Sequence, residues 1–155
     1  MRIGFGYDVH PLKRGRKMIL GGAHISHPRG PAGHSDADVL GHAIGDALLG
    51  AANLGDLGKH FPDSDKKFSG ISSLILLKEI AKLLRRRRLK ISNIDATLLL
   101  EAPKIMPYAE EMKKNISLAL GIKPSQISIK ATTSEKMGFV GRREGVAAFA
   151  VALIE

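Results

Sequence analysis

A chain of 155 residues with 44% hydrophobic content holds enough apolar mass for one domain, residues 1–155, and has no run near the ~20 apolar residues that span a bilayer. It contains no cysteine, which excludes disulfides, thiolate metal sites and a cysteine nucleophile, so any metal must be held by histidines and carboxylates. The formal charge of +9 favours polyanionic small molecules over nucleic acid, because much of the excess sits in one run, 82–90 KLLRRRRLK, with no interleaved aromatic for base stacking. No signal or transit pattern opens the chain, so a cytoplasmic location without a membrane partner is expected.

Residues 3–10 alternate as a strand does: Ile3, Phe5, Tyr7 and Val9 on one face, Gly4, Gly6, Asp8 and His10 on the other. The two glycines allow another backbone to come close, and the same face ends in two metal-ligand side chains. Lys17 to Ile25, with Gly21 and Gly22 at its middle, reads as a short hairpin, and His24 and His27 as surface histidines. The stretch 34–63, HSDADVLGHAIGDALLGAANLGDLGKHFPD, then predicts a helix. Asp38, His42 and Asp46 recur every four residues as a polar ridge, opposite a stripe of Leu40, Ala43, Ile44, Ala47, Leu48 and Ala51. Ser35 and Asp36 are suited to cap it, and Gly50, Asn53 and Gly55 to end it. A ridge of this kind is more often a solvated face than a ligand set. Joined to the Asp8/His10 pair, however, His42 completes a two-histidine, one-carboxylate set that leaves an open coordination position.

Ser72 or Ser73 caps a second helix to about Arg88, with Leu74, Leu77, Ala81 and Leu84 buried and the arginines placed at its negative end. Ile91 to Glu101 reads as a buried strand that stops at Ala102-Pro103-Lys104. Pro107 starts a third helix, ended by Leu120 and Gly121; Gln126 to Ala131 and Gly145 to Ile154 are strands. Between these strands, 132–144 TTSEKMGFVGRRE combines hydroxyls, glycines, an acid and arginines, as a phosphate-binding loop or an ordinary hairpin loop would. The elements sum to an α+β two-layer sandwich: a mixed sheet of four or slightly more strands in a ferredoxin-like arrangement, with helices on one face. The bare face, with Tyr7, Val146 and Ala148, then calls for self-association.

In four motifs spread over its whole length, RIGFGYDVH, GHSDADVLGHAIGDALLGAANLGDLGKHFPD, EAPK and KATTSEKMGFVGRREG, the chain closely resembles the 2-C-methyl-D-erythritol 2,4-cyclodiphosphate synthases of the non-mevalonate isoprenoid pathway. The resemblance implies zinc on Asp8, His10 and His42, with Asp38 and Asp46 as supporting acids. It implies transition-state stabilisation by His34 and Thr133, and methylerythritol-phosphate contacts from Asp8, Val9, His10, His34, Ser35, Asp56, Leu57, Gly58 and the segment Phe61, Pro62, Asp63, Ser64, Asp65. A cytidine pocket is implied for Leu100, Glu101, Ala102, Pro103, Lys104, Ile105 and Met106 together with Ala131, Thr132, Thr133 and Ser134. Glu135 corresponds to the ligand of a second cation, magnesium or manganese, and Phe139 and Arg142 to further substrate contacts. The family forms homotrimers with active sites between subunits and a central cavity that can take an isoprenoid diphosphate. Gly45 departs from the hydroxyl residue common in relatives, and His60 has no implied role.

The implied reaction turns 4-diphosphocytidyl-2-C-methyl-D-erythritol 2-phosphate into the cyclic diphosphate and CMP, the 2-phosphate attacking the β-phosphorus. An ionised phosphate needs no activated serine or cysteine. The residues alone also allow a metal-dependent phosphohydrolase, a non-catalytic nucleic-acid or metabolite module, or an iron oxygenase site.

Overall fold

The computed structural model describes residues 1–62 and 64–155. The chain opens with a long strand, β1 (Arg2–Arg14), then a hairpin of β2 (Met18–Leu20) and β3 (Ala23–Ile25), and a short strand β4 (Arg29–Pro31). Helices α1 (Val39–Ala51), α2 (Leu57–His60) and α3 (Ser73–Arg86) follow, then β5 (Ile91–Leu99), α4 (Ala109–Leu120), β6 (Ile127–Thr132), the short α5 (Gly138–Gly141) and β7 (Gly145–Ile154). Five strands make one sheet in the order β4-β1-β7-β5-β6, antiparallel except for the parallel β5–β6 pair, and β2–β3 stand apart as a two-stranded sheet.

This is an α+β fold, but the ferredoxin-like expectation is corrected. That arrangement runs β-α-β-β-α-β, whereas here helices separate each of β1, β5 and β6, and β7 returns to insert between β1 and β5. Sequence periodicity reports which face a strand buries and says nothing about which neighbour it pairs with. None of the described helices is long and apolar enough to cross a membrane.

Packing centres on α1, which lies across β1 and β7. Gly4 and Gly6 leave no side chain on the inner face of β1, so the helix backbone comes down onto the strand: a Cβ on either glycine would stand 1.9 Å from the Ala47 or Ala43 carbonyl oxygen. From β7, Val146, Ala148, Ala150 and Ala152 meet the same helix. The expectation that Val146 and Ala148 lie on the bare face is therefore corrected. Cross-strand partners share a face, and these pair with His10 and Asp8 on the inner side. The outer face belongs to Ile3, Phe5, Tyr7 and Val9 with Phe149 and Val151, all exposed. Tyr7 and Phe149 pack with ring centroids 5.0 Å apart and planes tilted by 38°.

α1 is covered nearly all round rather than along a stripe. Besides the predicted set, Val39, Leu49 and the small Gly41 and Gly45 are buried, and only His42, Asp46 and Gly50 reach the surface. The absence of a Cβ at Gly45 admits Leu57 and Ile80, whose methyl groups would stand 3.1–3.2 Å from one. Neither Ser35 nor Asp36 caps the helix. Asp38 does, accepting from the Gly41 N–H. α3 begins at its Ser72 cap and stops at Arg86, with Leu77, Ala81 and Leu84 buried as expected, joined by Leu76 and Ile80, while Leu74 is half-buried. Pro107 lies in a single 3-10 turn ahead of α4, and Gly121 closes α4 in the left-handed conformation at φ 71°.

The glycine contact yields a paired prediction. Gly6→Ala forces β1 and α1 apart and should destabilise the protein by about 3 kcal/mol or more in urea unfolding. Gly50→Ala, with nothing within 4 Å of its added Cβ, should be neutral or stabilise by up to ~1 kcal/mol.

Candidate metal and phosphate site

Beyond the two glycines, the next inward side chains of β1, Asp8 and His10, meet His42 on α1. Asp8 Oδ2 lies 2.9 Å from His10 Nε2 and 2.9 Å from His42 Nδ1, and the two nitrogens are 3.2 Å apart. Three donor atoms thus form a nearly equilateral triangle. Tetrahedral bonds of 2.0–2.1 Å to a divalent ion would set its ligands about 3.3 Å apart, so the triangle fits such an ion with one position left open. It is the one group of three or more histidines and acids able to share an ion among the described residues. Burial pushes the Asp8 carboxyl up, but hydrogen bonds and charge from His10 and His42 outweigh it and hold the pKa at about 2. Burial likewise depresses His42, and its contact with Asp8 more than reverses this, leaving it above the ordinary histidine value.

The far nitrogen of His42, Nε2, lies 2.9 Å from Ser35 Oγ, and this contact was not legible in the sequence. The two acids expected to brace the histidines do other work. Asp38 is fully buried, and its carboxylate accepts from the N–H groups of Gly21 (2.8 Å), Gly22 (2.7 Å) and Gly41 (3.1 Å), tying the β2–β3 turn to the start of α1. Both turn glycines have positive φ, 56° and 72°, which aims their N–H groups inward. Asp46 accepts from Leu57 N–H at 2.8 Å and fixes the start of α2; burial raises its pKa, with Asp56 and Asp8 adding to the effect.

A cavity of about 370 Å³ opens over the triangle. Its walls include the expected His34, Ser35, Leu57, Gly58, Phe61 and Pro62, and also Phe68, Ile71 and Leu76, which carried no signal in the sequence. Phe61 and Phe68 meet edge to face at 5.4 Å. Val9 points its side chain to the opposite face of the sheet, so only its backbone remains on this side. Asp56 caps α2 through Lys59 N–H, Asp65 caps the turn at 66–68 and pairs with Lys67 at 3.0 Å, and exposed Ser64 precedes it; Asp63 lies outside the described residues. His60, which has no role implied by the resemblance, reaches the Leu54 carbonyl at 2.9 Å.

The second set of expected residues gathers elsewhere. Leu100, Glu101, Pro103, Lys104, Ile105 and Met106 face Ala131, Thr132 and Thr133 across a cavity of about 240 Å³ where β5 and β6 end; Ala102 precedes Pro103 through a cis peptide bond. Register places this cavity at the same end of the sheet as the triangle: Asp8 pairs with Ala148, Ala148 with Leu98, and Leu98 with Ala131. Three strand spacings separate the two, about 14 Å. Within one chain, His34 and Thr133 therefore line different cavities. Glu101 Oε1 accepts from Ser134 N–H (3.0 Å), Ser134 Oγ (3.1 Å) and Lys136 N–H (3.2 Å), pinning a turn in which Glu135 and Lys136 both have positive φ. Thr133 Oγ1 donates to Glu135 at 2.9 Å. Phe139 packs on Gly145, and Arg142 pairs with Glu144 at 2.9 Å on the surface.

A model of the YgbB family matches residues 1–155. The 2-C-methyl-D-erythritol 2,4-cyclodiphosphate synthase of Syntrophomonas wolfei is 54% identical over 155 residues, covering 100% of this chain and 99% of that one. The synthase of the same description from Alkaliphilus metalliredigens is 58% identical over 151 residues, covering 97% and 95%. A solved structure of such a synthase in a CDP-bound form is 36% identical, covers 99% of this chain and 100% of its own, and superposes with a TM-score of 0.90.

The raised pKa of His42 makes a prediction for chelator-treated protein. Folding favours protonated His42, so this contribution to stability is complete below the ordinary value of 6.5 and is lost as pH rises through the higher folded value. Metal-free wild type should melt higher at about pH 6 than at about pH 8, and His42→Ala should shed that part of the difference. Identical pH profiles for the two proteins would contradict it.

Proposed function

The chain belongs to the YgbB family of 2-C-methyl-D-erythritol 2,4-cyclodiphosphate synthases, and we propose how its own residues divide the family's chemistry. Its reaction converts 4-diphosphocytidyl-2-C-methyl-D-erythritol 2-phosphate to 2-C-methyl-D-erythritol 2,4-cyclodiphosphate with release of CMP, as a phosphorus-oxygen lyase. An oxygen of the 2-phosphate forms a bond to the β-phosphorus, the bond from that phosphorus to the bridging oxygen breaks, and the electron pair leaves on the phosphate of CMP.

The observation that carries the assignment of roles is the donor triangle opening into the 370 Å³ cavity. Asp8, His10 and His42 would hold zinc and Glu135 magnesium or manganese, which supply Lewis-acid polarisation of the β-phosphate oxygens and neutralise charge on the leaving phosphate. His34 and Ser35 face the same space and orient the methylerythritol phosphate, while Leu57, Phe61 and Pro62 exclude water beside it. The cavity around Lys104 and Thr132 takes the cytidine, in keeping with the CDP-bound relative. Thr133, whose hydroxyl hydrogen goes to Glu135 in the ion-free chain, would turn it to the diphosphate once Glu135 holds the cation. Folding the substrate so that its two phosphate groups meet contributes up to ~7–11 kcal/mol of the barrier.

The separation of His34 from Thr133 within one chain, and the exposed apolar face of Ile3, Phe5, Tyr7 and Phe149, support a homotrimer whose active sites each join the metal cavity of one subunit to the cytidine cavity of the next. That face then lines a central cavity able to take an isoprenoid diphosphate, with Arg142 as the cation.

Phosphorus NMR of the turnover products tests the reaction: the cyclic diphosphate and CMP should be the only new signals, and inorganic phosphate would mark a hydrolase instead. Sharing is tested by refolding an equal mixture of His42→Ala and the double variant Lys104→Ala, Thr133→Ala, each inactive alone. Random mixing, checked by native mass spectrometry, should restore about a quarter of the sites. No recovery would place each site within one subunit.

A further inference from the structure

Ser35, His42 and Asp8 are connected as a hydrolytic triad is: Ser35 Oγ to His42 Nε2 at 2.9 Å, His42 Nδ1 to Asp8 Oδ2 at 2.9 Å. That connectivity allows two opposite roles for the serine, and the surrounding atoms choose between them. In a triad, Nδ1–H is held by the acid and Nε2 takes the serine proton. Here Asp8 Oδ2 is not reserved for His42, since His10 Nε2 stands equally close to it and only 3.2 Å from His42 Nδ1. Without an ion that oxygen can accept from both rings, whereas an ion in the triangle takes a lone pair from each of the two nitrogens and from the carboxylate. With an ion held by the triangle, Nδ1 is a lone pair, and the neutral imidazole then carries its hydrogen on Nε2.

We propose that Ser35 is the positioning residue of the metal centre: its oxygen accepts the Nε2–H of His42 and so fixes the tautomer and ring angle that turn Nδ1 toward the ion. The inference rests on the metal reading of the triangle given above. The serine is itself held. Its oxygen also accepts from Ala37 N–H at 3.2 Å, closing a tight loop in which buried Ala37 has φ 56°, a left-handed conformation that costs an alanine about 1–2 kcal/mol. Between them Asp36 is clamped to the start of α3, donating its N–H to the Ile71 carbonyl at 3.0 Å and accepting from Ser73 N–H at 2.9 Å. Strain in a segment tied down on both sides is the mark of a side chain whose direction matters.

A hydroxyl has two acceptor positions and one donor. With both acceptor positions taken by His42 and Ala37, the remaining hydrogen of Ser35 can only be donated, and Ser35 lines the cavity over the triangle. An anionic phosphate oxygen there receives it, so one side chain touches both the metal's ligand and the substrate. Asp38 and Asp46 do not fill this role: among the described residues, the carboxylates of both bond to backbone N–H groups.

The test measures metal binding rather than turnover. Zinc and cobalt affinities are obtained by chelator competition on the full-length wild type, Ser35→Ala, Ser35→Thr and His42→Ala, with the cobalt absorption band recorded for each. Ser35→Ala should bind about 10–100-fold more weakly with a shifted band, and Ser35→Thr, which keeps the oxygen, should recover most of the affinity. Wild-type affinity in Ser35→Ala, or no recovery in Ser35→Thr, overturns the inference. His42→Ala separates it from its premise: unaltered affinity there overturns the metal site itself. A fluorophosphonate probe that labels Ser35 in the metal-loaded enzyme would also overturn it, because a serine held as an acceptor is not an activated nucleophile. Melting of the metal-free proteins completes the set: both Ser35 variants should melt as the wild type does, and weakened binding that only tracks a lowered melting point in both would overturn the inference in favour of a purely structural role.

Discussion

Everything in this molecule depends on how closely α1 can lie against β1. A helix normally stands off a sheet by the thickness of the side chains between them; here Gly4 and Gly6 remove them, and helix carbonyls occupy the space where Cβ atoms would be. The contact contributes little through buried side-chain area of its own. Its effect is geometric, since it sets the height of His42 above the strand, and that height decides whether three donor atoms share one ion or merely lie near one another. Two residues further along, the same face of β1 switches from no side chain to Asp8 and His10. The site begins where the close contact ends.

The acids around this contact are distributed by what their oxygens can reach. Asp8 receives two imidazole nitrogens on one oxygen, and its pKa falls to about 2 in spite of burial. Asp38 receives three backbone N–H groups, yet full burial, with the neighbouring Asp36 charge added to it, raises its pKa. One serves the ion; the other locks the hairpin turn onto the helix start. Glu101 repeats the locking arrangement at the far cavity, where one carboxylate oxygen organises the turn that presents Thr133 and Glu135.

The sequence reveals the strand and helix faces well, because alternation and the 3.6-residue period are consequences of local geometry. The Asp8, His10 and His42 set was legible for that reason; the residues of the second cavity, at two strand ends, carried no periodic signal and were named only through the family resemblance. What sequence did not disclose were choices made in three dimensions. Asp38 shares a ridge with His42 on a helical wheel, but as the cap it turns toward the Gly21-Gly22 turn. Val146 and Ala148 look like candidates for the bare face until the register with β1 shows them opposite His10 and Asp8. Ser35 has no periodic signal, since it stands in an irregular loop whose path is set by Asp36 and a left-handed alanine. The strand order, with β7 between β1 and β5, was equally invisible, because pairing partners far apart along the chain leave no mark on local pattern.

β1 encodes its two duties by parity. Even-numbered residues from Gly4 to His10 make the helix contact and the ligand set; odd-numbered ones from Ile3 to Val9 make the outer apolar face. Loss or gain of a single residue between Gly6 and Asp8 would exchange the two series beyond that point, sending a carboxylate and an imidazole outward and bulky apolar side chains toward α1. Substitutions on the outer series leave this code intact, while a one-residue indel erases it. Across the history of such a chain, length variation should therefore collect in the loops and leave this strand the same length, even where its outward residues diverge.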